Sequence, residues 1–191
     1  MIERLENMLA AIFGGIFLAL AGLVAVEVAA RKLFGLSLQG ANELGGYALA
    51  VGSTLAFTLA LFGRNHIRVD VLHERLSARW QGVLNWLSAF LMASLAILLA
   101  MLAWGVVRDT LDYHSTAQTP WATPLIYPQG LWFAGQVVFM LTAVGIALRA
   151  SWLVVRGQLA QLNIELHPRS VKEDLDEELD DLAARQGGGR S

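Results

Sequence analysis

The chain has 191 residues, of which 55% are hydrophobic and only 16% are charged, and its formal net charge is −2. Soluble globular domains carry about 25% charged residues, so this composition indicates a membrane protein. The absence of cysteine excludes disulfides, zinc–thiolate sites and iron–sulfur clusters. No basic face is large enough to bind nucleic acid.

Four long runs of the sequence contain no Asp, Glu, Lys, Arg or His. About 20 helical residues cross the hydrocarbon core of a bilayer, and each of these runs is about that long or longer. We therefore predict an all-α membrane protein with four transmembrane helices in a membrane domain of residues 1–167. The predicted spans lie at about residues 8–30, 43–62, 80–107 and 128–155.

The first span ends with an acid and a base one helical turn apart. Glu27 and Arg31 have the favoured i,i+4 order, which predicts a local ion pair at the membrane interface. A proton-coupling carboxylate is the alternative role for Glu27. The spans otherwise lack proline before Pro128 and lack an acid near the membrane midplane, so the broken helices and embedded charges of a solute site are not evident.

Small residues recur along the first two spans. Such stripes let helix backbones approach closely in lipid, and they predict that these helices pack against other helices. They do not indicate whether the neighbouring helix belongs to this chain. The residues are Ala11, Gly15, Ala19, Ala21, Ala25 and Ala29 in the first span, and Ala48, Gly52, Ala56 and Ala60 in the second.

A polar segment, "GRNHIRVDVLHERLSARW", separates the second and third spans. Asp70 can cap a short amphipathic helix that lies in the membrane interface. An extended "HIRVD" would place His66, Arg68 and Asp70 on one side, which predicts a polar ridge that contacts protein or lipid. A metal site is disfavoured, because helical spacing puts His66 and His73 roughly 10 Å apart with no third ligand nearby in sequence.

The basic residues near the span ends predict the orientation of the chain. Lys and Arg favour the cytoplasmic side, so both termini are expected in the cytoplasm. The acidic tail, residues 168–191, then forms either a short cytoplasmic helix or disordered chain. The predicted inner set is Arg4, Arg64, Arg68, Arg75, Arg79, Arg149 and Arg156, and the outer set is Arg31, Lys32 and Arg108.

The segment "GRNHIRVDVLHERL" after a transmembrane helix resembles the hallmark of the DctQ family. This family comprises the small membrane subunits of tripartite ATP-independent periplasmic (TRAP) transporters. Upstream, "VAARKLFG" and "NELGGYALAVGSTLAFTLAL" resemble the first hairpin of that family, with Arg31, Phe34 and Glu43 at its characteristic positions. "PQGLW" near the start of the last span fits as well. The resemblance covers about residues 27–148.

The resemblance implies a division of labour among three proteins. A periplasmic binding protein captures a small organic solute, and a large permease subunit moves it with a sodium gradient. The small subunit scaffolds the large one in the bacterial inner membrane, helps to receive the binding protein, contacts lipid, and needs no cofactor, because the sodium ions bind the large subunit. The candidate partner-interface residues are Glu27, Arg31, Glu43, Arg64, His66, Arg68 and Asp70.

Two other classes of function stay open at the level of the sequence. A stand-alone proton-coupled transporter of the small multidrug type also has four spans and an acid in the first, although Glu27 is shallow here. A structural four-span protein without a transport role is the second. A membrane enzyme is disfavoured, because no cluster of His, Asp, Ser or Glu converges at one membrane level, and we expect no catalytic activity.

Overall fold

The computed structural model describes residues 2–36, 40–62, 76–166 and 179, with side chains in the first helix described from Asn7 onward. Within these residues the chain is helical and contains no strand, and four of its helices are long and apolar enough to cross a membrane. This confirms the predicted all-α membrane fold with four spans. The helices are α1 (Ile2–Phe34), α2 (Ala41–Phe62), α3 (Ala78–Tyr113), α4 (Ile126–Val155) and α5 (Leu159–Glu165).

The spanning helices extend beyond the charge-free runs of the sequence. Helix α3 continues past Val107 to Tyr113, because Arg108, Asp109 and Asp112 are tolerated in a helical turn outside the hydrocarbon core. It ends at His114, which adopts a left-handed conformation with φ 50° and donates its backbone N–H to Thr110. The charges thus mark the edge of the hydrocarbon and not the end of the helix.

The four spans form a row of neighbours in the order α1, α2, α4, α3. Glycines allow the close crossings: a Cβ on Gly52 of α2 would overlap the ring of Phe17 of α1, and a Cβ on Gly135 of α4 would overlap Thr54 of α2. Small residues at such crossings increase van der Waals contact where lipid removes the hydrophobic driving force. Two glycines therefore define where α2 meets its neighbours on either side.

The contact between α3 and α4 is the most extensive helix pair, and it is lined by alanines. This stripe was not among the small-residue stripes predicted from the sequence. Along α1, by contrast, the predicted stripe is exposed, and a Cβ on Gly15 would meet no described atom. The buried alanines are Ala89, Ala93, Ala96, Ala100 and Ala103 of α3 with Ala143, Ala147 and Ala150 of α4.

Helix α5 follows a tight turn at the end of α4. Gly157, with φ 70°, reverses the chain so that α5 packs against the beginning of α3. Leu162 is buried in this contact, and the Asn163 side chain donates to the backbone oxygen of Ala78 at 2.9 Å. The sequence did not predict α5.

The predicted interfacial helix began at Val71 and included Leu76 and Trp80; up to residue 75 it lies outside the described residues, but Leu76 and Ser77 are not helical and Trp80 belongs to α3, so the helix does not run on to Trp80 as predicted. The acidic tail, apart from Leu179, also lies outside the described residues.

Candidate functional site at the loop end of the bundle

The predicted site residue Glu43 lies in the first turn of α2, at the end of the bundle that carries the α3–α4 loop, hereafter the loop end. Its carboxylate is buried, with a residue exposure of 8%. The phenol of Tyr47, one turn further along α2, donates to one carboxylate oxygen at 2.7 Å. The hydroxyl of Thr119 donates to the other. Glu43 therefore joins α2 to the α3–α4 loop.

The α3–α4 loop is folded as a small hairpin, which explains how Thr119 reaches the carboxylate. The backbone N–H of Ala117 donates to Thr123 at 2.9 Å, and that of Leu125 donates to Ser115 at 3.0 Å. At the tip, Ala122 adopts φ 45° and donates its N–H to Thr119. These bonds satisfy the backbone locally and fix the tip over the start of α2.

An aromatic contact reinforces this attachment. The six-membered ring of Trp121 lies so close to Gly40, just before α2, that a Cβ there would overlap it. Gly40 also provides the backbone oxygen that accepts the Leu44 N–H at 2.9 Å in the first turn of the helix. The lack of a side chain at residue 40 therefore permits the close contact with Trp121.

The predicted ion pair between Glu27 and Arg31 is present on α1. The Glu27 carboxylate is buried, whereas the Arg31 side chain is 61% exposed. An exposed partner keeps the charge of a buried acid near water at the helix end, as expected for an interfacial pair. The structure thus brings these two predicted residues together and gives Glu43 a different set of partners.

Four predicted interface residues, Arg64, His66, Arg68 and Asp70, lie outside the described residues. Their role in binding a partner therefore stays a prediction. The sequence analysis missed Thr119, Trp121 and Gly40, which hold the loop end together. The bond from Tyr47 has a sequence signal, because Glu43 and Tyr47 are four residues apart, but nothing local indicates Thr119, which is 76 residues away.

The opposite end of the bundle is fastened by a second set of polar bonds. Asn85 of α3 donates to Asn163 of α5 at 2.9 Å, and the indole N–H of Trp86 donates to Ser151 of α4 at 2.9 Å. Arg149 forms two hydrogen bonds with Glu165, at 2.9 and 3.2 Å. These bonds lock α5 and the ends of α3 and α4 into one unit.

The described polar residues inside the spans do not form a charged solute site. Thr54 and Thr58 donate to backbone oxygens of their own helix, at 2.8 and 3.1 Å. Glu27 and Glu43 lie near helix ends, and no group of three His, Asp or Glu among the described residues could hold a metal ion. The geometry is that of a multi-pass helical membrane protein whose polar groups join its helices and loop to one another.

A comparison with protein families identifies the class further. Residues 20–152 match the family "Tripartite ATP-independent periplasmic transporters, DctQ component". Because this match covers well over half of the chain, the protein belongs to the DctQ family, whose members are transporter components. A search of curated proteins found no match. The matched region contains the Glu43 site and the α3–α4 loop but excludes α5 and the acidic tail.

Proposed function

We propose that this chain scaffolds the large permease subunit of a sodium-driven importer of a small organic solute, an organic acid. Membership of the DctQ family makes the chain the small permease subunit of a TRAP transporter. The scaffold role is supported by the polar side chains of the helices, which bond to one another within the chain. Glu43 accepts hydrogen bonds from Tyr47 and Thr119, and Asn85 donates to Asn163. The proposed partners are the large permease subunit and the periplasmic binding protein.

The scaffold role can be tested by comparing solute binding and transport with and without the other subunits. The purified chain alone should show no saturable calorimetric binding of any solute that the complete system imports, and vesicles containing it alone should show no uptake. The complete transporter in the same lipid is the positive control. Micromolar binding or uptake by the isolated chain would contradict the scaffold role and favour a stand-alone transporter.

The docking surface is proposed to include the polar ridge at His66, Arg68 and Asp70. Loss of one member of a half-buried charge pair costs about 2–5 kcal/mol, because its partner stays desolvated. Arg68→Ala and Asp70→Ala should therefore lower the amount of large subunit that copurifies. Arg75→Ala, on the water-facing side of the predicted interfacial helix, serves as the control. Wild-type ratios for all three variants, or the largest loss for Arg75→Ala, would exclude this surface.

The proposed location is the bacterial inner membrane with both termini in the cytoplasm. The chain has no cysteine, so single substitutions supply unique thiols. Gln118 in the α3–α4 loop and Ser77 before α3 are both exposed. In intact cells an impermeant thiol reagent should label Gln118→Cys and spare Ser77→Cys. The reverse pattern would invert the orientation.

A further inference from the structure

Three exposed arginines lie around helix α5, at the end of the bundle opposite the loop end. Arg149 lies in the last two turns of α4, and Arg156 directly follows that helix. Arg79 is the second residue of α3, next to Ala78, whose backbone oxygen accepts from Asn163 of α5. Because α5 packs against both α3 and α4, the three arginines share one end of the chain. They form a basic surface, the arginine patch.

Only one arginine of the patch has a carboxylate partner among the described residues. Glu165 of α5 accepts two hydrogen bonds from Arg149, at 2.9 and 3.2 Å. The guanidinium carbon of Arg156 lies 3.7 Å from the centroid of the Trp152 ring. This stacking occupies the face of the guanidinium and leaves the N–H groups at its edge available as donors. Neither Arg79 nor Arg156 forms a salt bridge with a described acid, so two positive charges can accept an anionic partner.

The sequence that follows α5 contains a dense block of negative charge. Seven of the nine residues 173–181 are Asp or Glu, and none is basic. Blocks of like charge are often interaction segments. Glu173 comes seven residues after Leu166, and seven extended residues span up to about 25 Å, whereas α5 is only about 10 Å long. This acidic segment, residues 173–181, is therefore within reach of the arginine patch.

The place where the chain leaves α5 favours the acidic segment as the partner of the patch. The bond between Glu165 and Arg149 holds the last turn of α5 beside the arginines, so the residues that follow start from there. A contact with the patch is then intramolecular and is favoured by a high effective concentration. Carboxylates also match the planar edge of a guanidinium, which can donate two parallel hydrogen bonds. Position and charge thus select the same partner.

We propose that the acidic segment binds the arginine patch of the same chain, with its carboxylates accepting hydrogen bonds from Arg79 and Arg156. Seven negative charges attached beside the patch compete more strongly for it than the phosphate of one phospholipid. The contact shields the arginines from anionic headgroups and adds to the bonds that hold α5 on α3 and α4. This contact is additional to the proposed scaffold function and does not depend on it.

The test measures how often the acidic segment meets the patch in the full chain. The chain has no cysteine, so Leu179→Cys, between the acids, and Gln158→Cys, an exposed position two residues after Arg156, supply a unique thiol pair. The rate of disulfide formation is followed in nanodiscs of phosphatidylcholine. Replacing Arg79 and Arg156 together with glutamine should slow it about ten-fold, since each exposed ion pair contributes up to about five-fold. Salt at about 1 M should slow it similarly, because the Debye length falls to about 3 Å.

Two further variants make the result specific. Arg108→Gln is the matched control, since Arg108 is 72% exposed and lies at the loop end, and it should leave the rate unchanged. Replacing the seven acids of the segment with their amides should slow the rate as much as the double arginine variant, without altering the helices. An unchanged rate in the double arginine variant, or equal slowing by Arg108→Gln, would overturn the proposal. So would an unchanged rate accompanied by loss of bound phosphatidylglycerol from the double variant, because lipid would then occupy the patch.

Discussion

Replacing Glu43 with alanine should release the α3–α4 loop from α2 while the four spans stay folded. The hydrogen bonds of the carboxylate, from Tyr47, Thr119 and Thr123, have different consequences. Tyr47 is on the same helix as Glu43, so its bond does not join separate elements. The bonds from Thr119 and Thr123 connect the loop to α2, so Thr119→Val, which removes one of these hydroxyls at similar volume, should reproduce part of the effect.

The magnitude for Thr119→Val follows from one hydrogen bond to a charged acceptor, and Glu43→Ala, which also removes the bond from Thr123, should have at least this effect. Such a bond corresponds to a change of about ten-fold to a hundred-fold in a local opening equilibrium. The lower end applies here, because the contact of Trp121 with Gly40 and the hairpin bonds of the loop remain in both variants. Exchange of the backbone amides of residues 115–125 should accelerate about ten-fold.

The assay is hydrogen–deuterium exchange on the full chain in lipid nanodiscs, resolved to peptides. Asp112→Asn is the matched control, since Asp112 is an acid at the same end of the bundle but is exposed, and its nearest contact with Arg108 is 3.9 Å. It should leave exchange of the loop unchanged. Unaltered exchange in both Glu43→Ala and Thr119→Val, or equal acceleration in Asp112→Asn, would refute the attachment of the loop through Glu43.

Three further predictions concern the helix contacts, and thermal unfolding in detergent micelles measures each. Gly135→Val should destabilise the fold by about 1–3 kcal/mol through overpacking against α2, whereas Gly130→Val, where no described atom lies within 4 Å of the added Cβ, should cost much less. Asn163→Ala should destabilise by about 1–3 kcal/mol, because it leaves the buried Asn85 amide without its partner on α5. Gln136→Leu should be neutral or stabilising, since the buried Nε2 has no hydrogen-bond partner among the described residues. A large loss of stability would contradict this expectation.

The number and type of spans could be predicted from the sequence because hydrocarbon penalises charge strongly. A run of about 20 residues without charge has few structures available other than a membrane helix. The ends of the helices were less predictable. Helix α3 includes Arg108 and Asp112, since charge prevents burial in lipid but does not prevent helix formation in water or headgroups.

The candidate site was predictable only where its contacts are local. Glu27 and Arg31 are one turn apart, so helix geometry alone brings them together. The contact of Thr119 with Glu43 depends on the left-handed residue at His114, the hairpin, and the crossing of α2 with α4. No periodicity encodes a contact that depends on several such features at once.

The helix contacts divide the described chain into a closely packed part and a part with few buried contacts. Helices α3, α4 and α5 share an alanine-lined interface and the polar bonds of Asn163, so they form one closely packed unit. Helix α1 packs against α2, and only 6% of its most apolar stretch is buried within the chain. Helix α2 joins the parts through the crossing at Gly135 and the loop bond at Glu43. The proposed scaffold role would use both parts, because the closely packed unit would keep its shape while the uncovered surface of α1 contacts the large subunit.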